Sequence, residues 1–182
     1  VAQLKAINNA TTGAIVLATS TSEALSGDAT DLAAALAGTI NYTGNVTVTD
    51  NAYTIAELVA INAGTTGEIT LNSAGVALSG TVADIKSAFT GTVTEHTGTL
   101  EITDAGTTDI TATDITSINT TNTGTITVAN AIDINGSGSE VKAAFDAIDT
   151  NTGNATANIT GTDYTVAQLK AINNATTGAI VL

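Results

Sequence analysis

The chain has no cysteine, proline, methionine or tryptophan. Without cysteine there are no disulfides, thiolate metal sites or cysteine nucleophiles. Without proline or tryptophan, and with only 3% aromatic residues, the composition stands far from that of an average globular domain. Cations are scarce as well. Four Lys and Arg against seventeen Asp and Glu leave a net charge of −13, which repels nucleic acid and anionic membranes and sets both aside as partners. No apolar run approaches the roughly eighteen residues that span a bilayer, so no membrane insertion is expected. Lacking any Met and beginning at Val1, the chain reads as a fragment or processed product, so missing targeting signals carry no meaning.

Threonine fills the gap, at 38 of 182 residues. Being β-branched and polar, it suits the solvent side of strands and the caps of helices. The order of the residues says more. VAQLKAINNATTGAIVL, residues 1–17, recurs unchanged as residues 166–182, an offset of 165. YTIAELVAINAGTTGEITL (53–71) is a close copy and ITATDITSINTTNTGTITV (110–128) a weaker one. Between these lie second halves of a different kind, such as LSGDATDLAAALAGTINYTGNVTVTD and LSGTVADIKSAFTGTVTEHTGTLEITD. Leu4, Leu32, Leu58, Ile85, Ile115, Val141 and Leu169 mark the halves at near-even steps, a period of about 27 residues.

Two kinds of module therefore alternate, and three pairs make a superrepeat as long as the offset between the identical segments. The units are 1–52, 53–106, a diverged 107–163, and 164–182, which opens the next superrepeat. The sequence reads as a window onto a longer array.

Each half carries the same physical signals. A capping pattern opens it: Thr54 with Glu57, Thr81 with Asp84, Thr111 with Asp114, Ser137 with Glu140, Thr165 with Gln168, and Asp28 with Asp31. Apolar residues then recur at helical spacing, as in Ile55, Leu58 and Ile61. A stop follows at Asn8, Asn62, Asn119, Gly38 or Gly91, residues that accept left-handed backbone angles. A Thr-Gly turn leads into one alternating strand: 13–17, 44–49, 67–71, 98–103, 124–128 and 153–160. One helix and one strand cannot close a core alone. The expectation is an α/β or mainly β solenoid of stacked modules, each of about 27 residues with one short helix and one parallel strand. The alternative is a string of small α+β beads, each one pair of modules long.

Candidate chemistry is sparse. Asp133, Asn135 and Ser137 match the first half of a calcium loop, with oxygen-bearing residues at alternate positions and Gly138 at the sixth. The twelfth position is Ala144 rather than an acid, and Ser137 doubles as a helix cap. Calcium is the one cofactor this leaves open. His96, the single histidine, sits in the polar stretch TVTEHTG and is expected to be a solvated loop residue. Ala14 and Val16, with their copies Ala179 and Val181, place apolar side chains on the outward side of their strands, either as a lateral contact between neighbouring rods or as the isolated exposed apolar residues that are ordinary on a protein surface. Seven Asn-x-Thr triplets begin at Asn9, Asn41, Asn45, Asn119, Asn154, Asn158 and Asn174. With one histidine and four cationic residues, little is available to build a catalytic cleft, and no enzyme is expected.

YTVAQLKAINNATTG and VALSGTVADIKSAFTG resemble repeats of giant secreted or cell-surface proteins of bacteria, cyanobacteria especially. That resemblance covers essentially the whole chain and brings no site residues with it. It implies a structural role outside the cell, as a surface coat, filament, adhesin stalk or gliding-associated layer. The expected partner is the protein itself, through end-to-end stacking of repeats. A calcium-dependent adhesin or glycan-binding module is the alternative.

Overall fold

A computed structural model describes residues 1–17, 22–38, 40 and 42–182. Contacts divide the chain into two units: Val1–Val76 with Ser87–Glu95, and Ala77–Lys86 with His96–Leu182. This division falls inside a helix and concerns compactness, whereas the sequence units concern likeness.

The first unit runs α1 (Ala2–Ala10), β1 (Leu25–Gly27), α2 (Ala29–Leu36), β2 (Val46–Val48), α3 (Ile55–Gly64) and β3 (Ile69–Leu71). β4 (Leu78–Gly80) begins the second unit, and the chain passes between units within α4 (Val82–Ala88). The second unit continues with β5 (Leu100–Ile102), β6 (Asp109–Thr111), α5 (Ala112–Thr121), β7 (Ile126–Val128) and β8 (Asp133–Gly136). It ends with α6 (Gly138–Ala147), β9 (Thr150–Asn151), β10 (Thr156–Ile159), α7 (Val166–Ala175) and β11 (Ile180–Val181).

Every named strand pairing is parallel, as the repeat predicts. The single sheet expected is instead three among the described residues: β1-β2-β3 in the first unit, and β4-β5-β7-β9 and β11-β10-β8-β6 in the second. The reason lies in the step lengths. Along the first sheet Leu25 pairs with Val46, and Val46 with Ile69. Over the same stretch the helices begin at Ala29, Ile55 and Val82, which are longer steps than those between the strands.

Each rung of the sheet therefore falls further ahead of its helix. Asp28 alone separates β1 from α2, whereas residues 49–54 separate β2 from α3 and residues 72–81 separate β3 from α4. The last gap is long enough to hold a new strand, β4, directly before its helix. Sequence patterning missed β1, β4, β6, β8 and β9. β1 and β4 each have the sequence Leu-Ser-Gly, too short for an alternation to register. Of the expected strand at 13–17, the described residues show a parallel bridge of Ile15 with Ile40.

The core is where the periodicity places it. Val46, Val48, Leu100, Ile102, Ile126 and Val128 are buried on the strands, and Leu32, Leu58, Ile61, Ile85 and Ile115 on the helices. Parallel register stacks Leu100 on Ile126 and Ile102 on Val128. The described helices are all too short to persist in isolation, and they pack in sequence order: α1 on α2, α2 on α3, α5 on α6, α6 on α7.

Their N-termini follow the capping prediction with one exception. Thr54 with Glu57, Ser137 with Glu140 and Thr165 with Gln168 close full capping boxes. Asp28 accepts from the Asp31 N–H, and Thr81 from that of Asp84. Thr111 makes no capping bond, since its hydroxyl lies 3.2 Å from that of Thr113 and Asp114 pairs with Lys86.

The C-termini differ more. Gly38 and Gly91 take the left-handed conformation, whereas Asn8, Asn62 and Asn119 lie within their helices, none at positive φ. Asn8 donates its amide to Ala34 O at 2.7 Å, and Asn62 to Ser87 O, Ala88 O and Thr90 O at 2.9, 3.0 and 2.8 Å. These two asparagines satisfy the free carbonyls that end the following helix. They bind modules together rather than terminate their own.

Candidate functional site

Asp133 and Asn135 lie on β8, and Ser137 is the N-cap of α6. The Asn135 amide donates to Asp109 Oδ1 and to Asp133 O, both at 3.0 Å, while its oxygen accepts from Asn158 Nδ2 at 2.6 Å. Asn135 thus forms the middle of a polar ladder across β6, β8 and β10. The Ser137 hydroxyl donates to Glu140 Oε2 at 2.8 Å and accepts from the Glu140 N–H at 3.4 Å. The Ser137 backbone N–H, and its hydroxyl after it, hold the Glu140 carboxyl below its ordinary pKa. Alternate residues of a strand share a face, so Asp133 and Asn135 stand on the same side of β8. Among the described residues no three His, Cys, Asp or Glu side chains gather to hold a metal.

Ala14, Val16, Ala179 and Val181 are all solvent-exposed, Val16 by 73% and Val181 by 48%. Of the four, only Val181 stands on a named strand. Of the Asn-x-Thr asparagines, Asn41 lies outside the described residues; Asn9, Asn45, Asn119, Asn154 and Asn174 are exposed and Asn158 is half-buried.

His96 is not a solvated loop residue. It is 0% exposed, and its Nδ1 lies 2.7 Å from Asn122 Oδ1. The Asn122 amide nitrogen donates to Gly124 O at 2.7 Å, which turns the oxygen toward the ring, so Nδ1 carries the proton. His96 N–H donates to Thr121 O, and Thr123 N–H to His96 O, forming a parallel bridge between the two turns.

This bridge belongs to a recurring feature that the repeat comparison passed over. A triplet x-Thr-Gly whose first residue can hydrogen-bond occurs seven times, beginning at Thr11, Tyr42, Thr65, His96, Asn122, Asn151 and Thr176. Two further triplets begin with apolar Phe89 and Ile159, and their glycines, Gly91 and Gly161, turn at positive φ instead. Five of the seven first residues, Tyr42, Thr65, His96, Asn122 and Thr176, are buried. Thr65 shows the geometry. Its hydroxyl accepts from the Gly67 N–H at 2.9 Å and donates to Gly44 O, in the preceding triplet, at 2.7 Å. The first bond makes a tight local turn and the second ties that turn to the rung before it.

In four of these triplets the glycine then sits against the backbone of a neighbouring rung. A Cβ on Gly67 would fall 2.2 Å from Gly44 O, and one on Gly124 2.0 Å from Gly98 O. On Gly153 it would meet the carbonyl of Asn130 at 2.2 Å, and on Gly178 that of Asn154 at 2.4 Å. Glycine is required here by close approach of neighbouring rungs, not by a left-handed angle. The result is a seat in which each turn rests on the rung before it.

The two copies of the seventeen-residue segment show what the seat contributes. Their helices end alike, with Thr11 at φ −141°, ψ 147° and Thr176 at φ −142°, ψ 149°. The local bond forms in both, Gly13 N–H to Thr11 Oγ1 at 3.0 Å and Gly178 N–H to Thr176 Oγ1 at 2.9 Å. The seat is filled only in the second copy. The Thr176 hydroxyl donates to Ala155 O at 2.6 Å, and Ile172 is 0% exposed. In the first copy Ile7 is 53% exposed, and among the described residues a Cβ on Gly13 would meet only its own Thr11 Oγ1. Beside Ile7 lies a shallow concavity of about 260 Å³, bordered by Leu4, Leu17, Leu25 and Tyr42.

Comparison with known proteins returns no match: no protein-family model, curated protein or solved structure corresponds to this chain.

Proposed function

We propose that this chain is a structural repeat segment of a long extracellular assembly, in which modules stack end to end into a solenoid rod. The observation that carries the proposal is the x-Thr-Gly seat. A module that rests its own backbone on its predecessor, through a glycine with no room for a side chain, offers the same backbone to its successor. That is the property a tandem array requires, and it recurs at Gly67, Gly124, Gly153 and Gly178. Parallel ladders of Leu, Ile and Val provide the continuous apolar core. The asparagine and lysine bridges from helix to helix act in the same direction.

The partner in this reading is the protein itself. A charge of −13 keeps the sides of neighbouring rods apart, and the exposed Ala14, Val16, Ala179 and Val181 supply a lateral contact where rods do meet. The extracellular setting rests on composition and on the resemblance to bacterial surface repeats. The size of the native polypeptide tests the proposal. A native molecule much larger than 182 residues, or one that assembles, is expected. A monomeric polypeptide of this size alone contradicts it.

A further inference from the structure

We infer that the buried His96–Asn122 pair is a register key, which fixes which module of the array settles on which. A tandem array needs such a device. Its modules are close copies, so a rung can meet a wrong neighbour whose apolar residues fit almost as well. In the native register Leu100 lies on Ile126 and Ile102 on Val128. The stretch 176–182 repeats the pattern of 122–128, with Ile180 in the place of Ile126 and Leu182 in that of Val128. A slip onto that stretch would set Leu100 against Ile180 and Ile102 against Leu182, and the ladder would stay apolar. The seat glycine recurs as well, as Gly124 and Gly178.

At other seats the bonds run to the main chain. The Thr65 hydroxyl donates to Gly44 O at 2.7 Å, that of Thr176 to Ala155 O at 2.6 Å, and that of Tyr42 to Glu23 O. Every module offers carbonyls, so these bonds hold a neighbour without reading its sequence. The seat at His96 differs. Its ring Nδ1–H donates to Asn122 Oδ1 at 2.7 Å, with His96 0% and Asn122 2% exposed. One rung presents a side-chain donor, and the next must present a side-chain acceptor of matching reach. His96 is the single histidine, so a seat keyed in this way occurs once per superrepeat.

In the slipped register His96 would face Thr176. That hydroxyl accepts from the Gly178 N–H and donates to a main-chain carbonyl, and its side chain is shorter than that of asparagine. The ring Nδ1–H would stay buried without its acceptor. Leaving such a donor unmatched costs more than a matched bond contributes, so the pair acts chiefly by penalising the wrong neighbour. Fixing register is the best-attested use of a buried polar pair. The partner of His96 is therefore chemically defined. Thr11, Thr65 and Thr176 hold the same place in their modules as Asn122, and the rung at His96 accepts the module that carries asparagine there.

The inference rests on the stacking reading above, and the two fail separately: the size of the native polypeptide decides the first, and the register of the refolded chain the second. The chain has no cysteine, so introduced disulfides can report register. Thr99→Cys, Thr125→Cys and Ala179→Cys together make the reporter. Thr99 Oγ1 and Thr125 Oγ1 lie 2.9 Å apart, so the native register links 99 to 125, whereas the slip links 99 to 179, within a chain or between two. The full chain is refolded from denaturant in a glutathione buffer, and the linkages are counted by peptide mass mapping. Four forms are compared: the reporter alone, with Asn122→Thr, with Thr176→Asn, and with both, which moves the key at constant composition. Threonine at 122 retains the local turn, as Thr65 shows.

The reporter alone is expected to give the 99–125 link. Asn122→Thr should raise the ratio of 99–179 to 99–125 about tenfold, as for one buried hydrogen bond left unmade. Adding Thr176→Asn should raise it further, because His96 then finds its acceptor only in the slipped register. Thr176→Asn alone leaves the native pair intact and should also raise the ratio, so it decides if Asn122→Thr does not fold. A ratio that does not follow the asparagine overturns the inference. So does a rise in Asn122→Thr that Thr176→Asn leaves unchanged, since Asn122 would then support only its own rung. Filaments in the native material with a ratio indifferent to the asparagine would leave the array standing and remove the key.

Discussion

Ile7 and Ile172 are the same residue in the same seventeen-residue sentence, yet one is half exposed and the other fully buried. Their helices differ at the N-terminus, where Thr165 caps α7 and α1 has no capping side chain, but the helix ends beside the two isoleucines, the final threonine and the Thr-Gly turn are alike. The difference is the neighbour behind. Ile172→Ala is expected to cost about 2–5 kcal/mol of the docking of α7, as for a buried large-to-small change. Ile7→Ala should stay within about 0.5 kcal/mol, as surface changes do. Hydrogen exchange of the α7 amides in the first variant, and of the α1 amides in the second, reads the contrast directly. Equal losses of protection would show that the segment carries its own stability and the neighbour adds none.

His96 gives the same lesson from the other side. Polar neighbours made it look like a loop residue, but its position in an x-Thr-Gly triplet puts it in the buried column with Thr65, Asn122 and Thr176. The signal was present in the seven triplets. It was obscured because the first residue varies among Thr, Tyr, His and Asn, which share hydrogen-bonding ability rather than shape.

Helix N-termini and core faces were legible at the scale of single elements because they depend on local physics. Caps bond within a single turn, and an apolar stripe has a fixed period. The extra strands were not legible. β1 and β4 exist because the sheet advances by fewer residues per rung than the helices do, a mismatch that no single module contains. Nor could the calcium-loop pattern be weighed without knowing that residues 133–136 form a strand. The asparagine stops failed for a similar reason: Asn8 and Asn62 serve the next helix, one module further along the chain.

One element-scale prediction concerns pH. Glu140 has a lowered pKa in the folded chain, so its contribution is present above the ordinary carboxylate range and disappears as pH falls through the lowered value. Glu140→Gln keeps the capping geometry, as the Thr165–Gln168 box shows, but removes the charge. Wild type should therefore melt higher than the variant near neutral pH, and the gap should close as the pH falls below the ordinary carboxylate range. Thermal unfolding followed by circular dichroism at both pH values checks this. A gap independent of pH would mean that the carboxylate charge adds nothing to the cap.

For the molecule as a whole, the net charge of −13 and the identical segments 165 residues apart are the features on which the proposed tandem array rests. Each described unit has parallel sheets and helices packed in sequence order, consistent with that reading without fixing the form of the assembly. The proposed rod requires that stacking continue without interruption across all six modules of a superrepeat. Strands in one sheet are spaced by about 4.8 Å, so six rungs advance about 29 Å. Electron cryo-microscopy of the native material measures that advance directly. The account predicts filaments with an axial repeat of about 29 Å and a strong meridional reflection at the strand spacing. Separate particles, or beads joined by linkers with no meridional strand reflection, would contradict it.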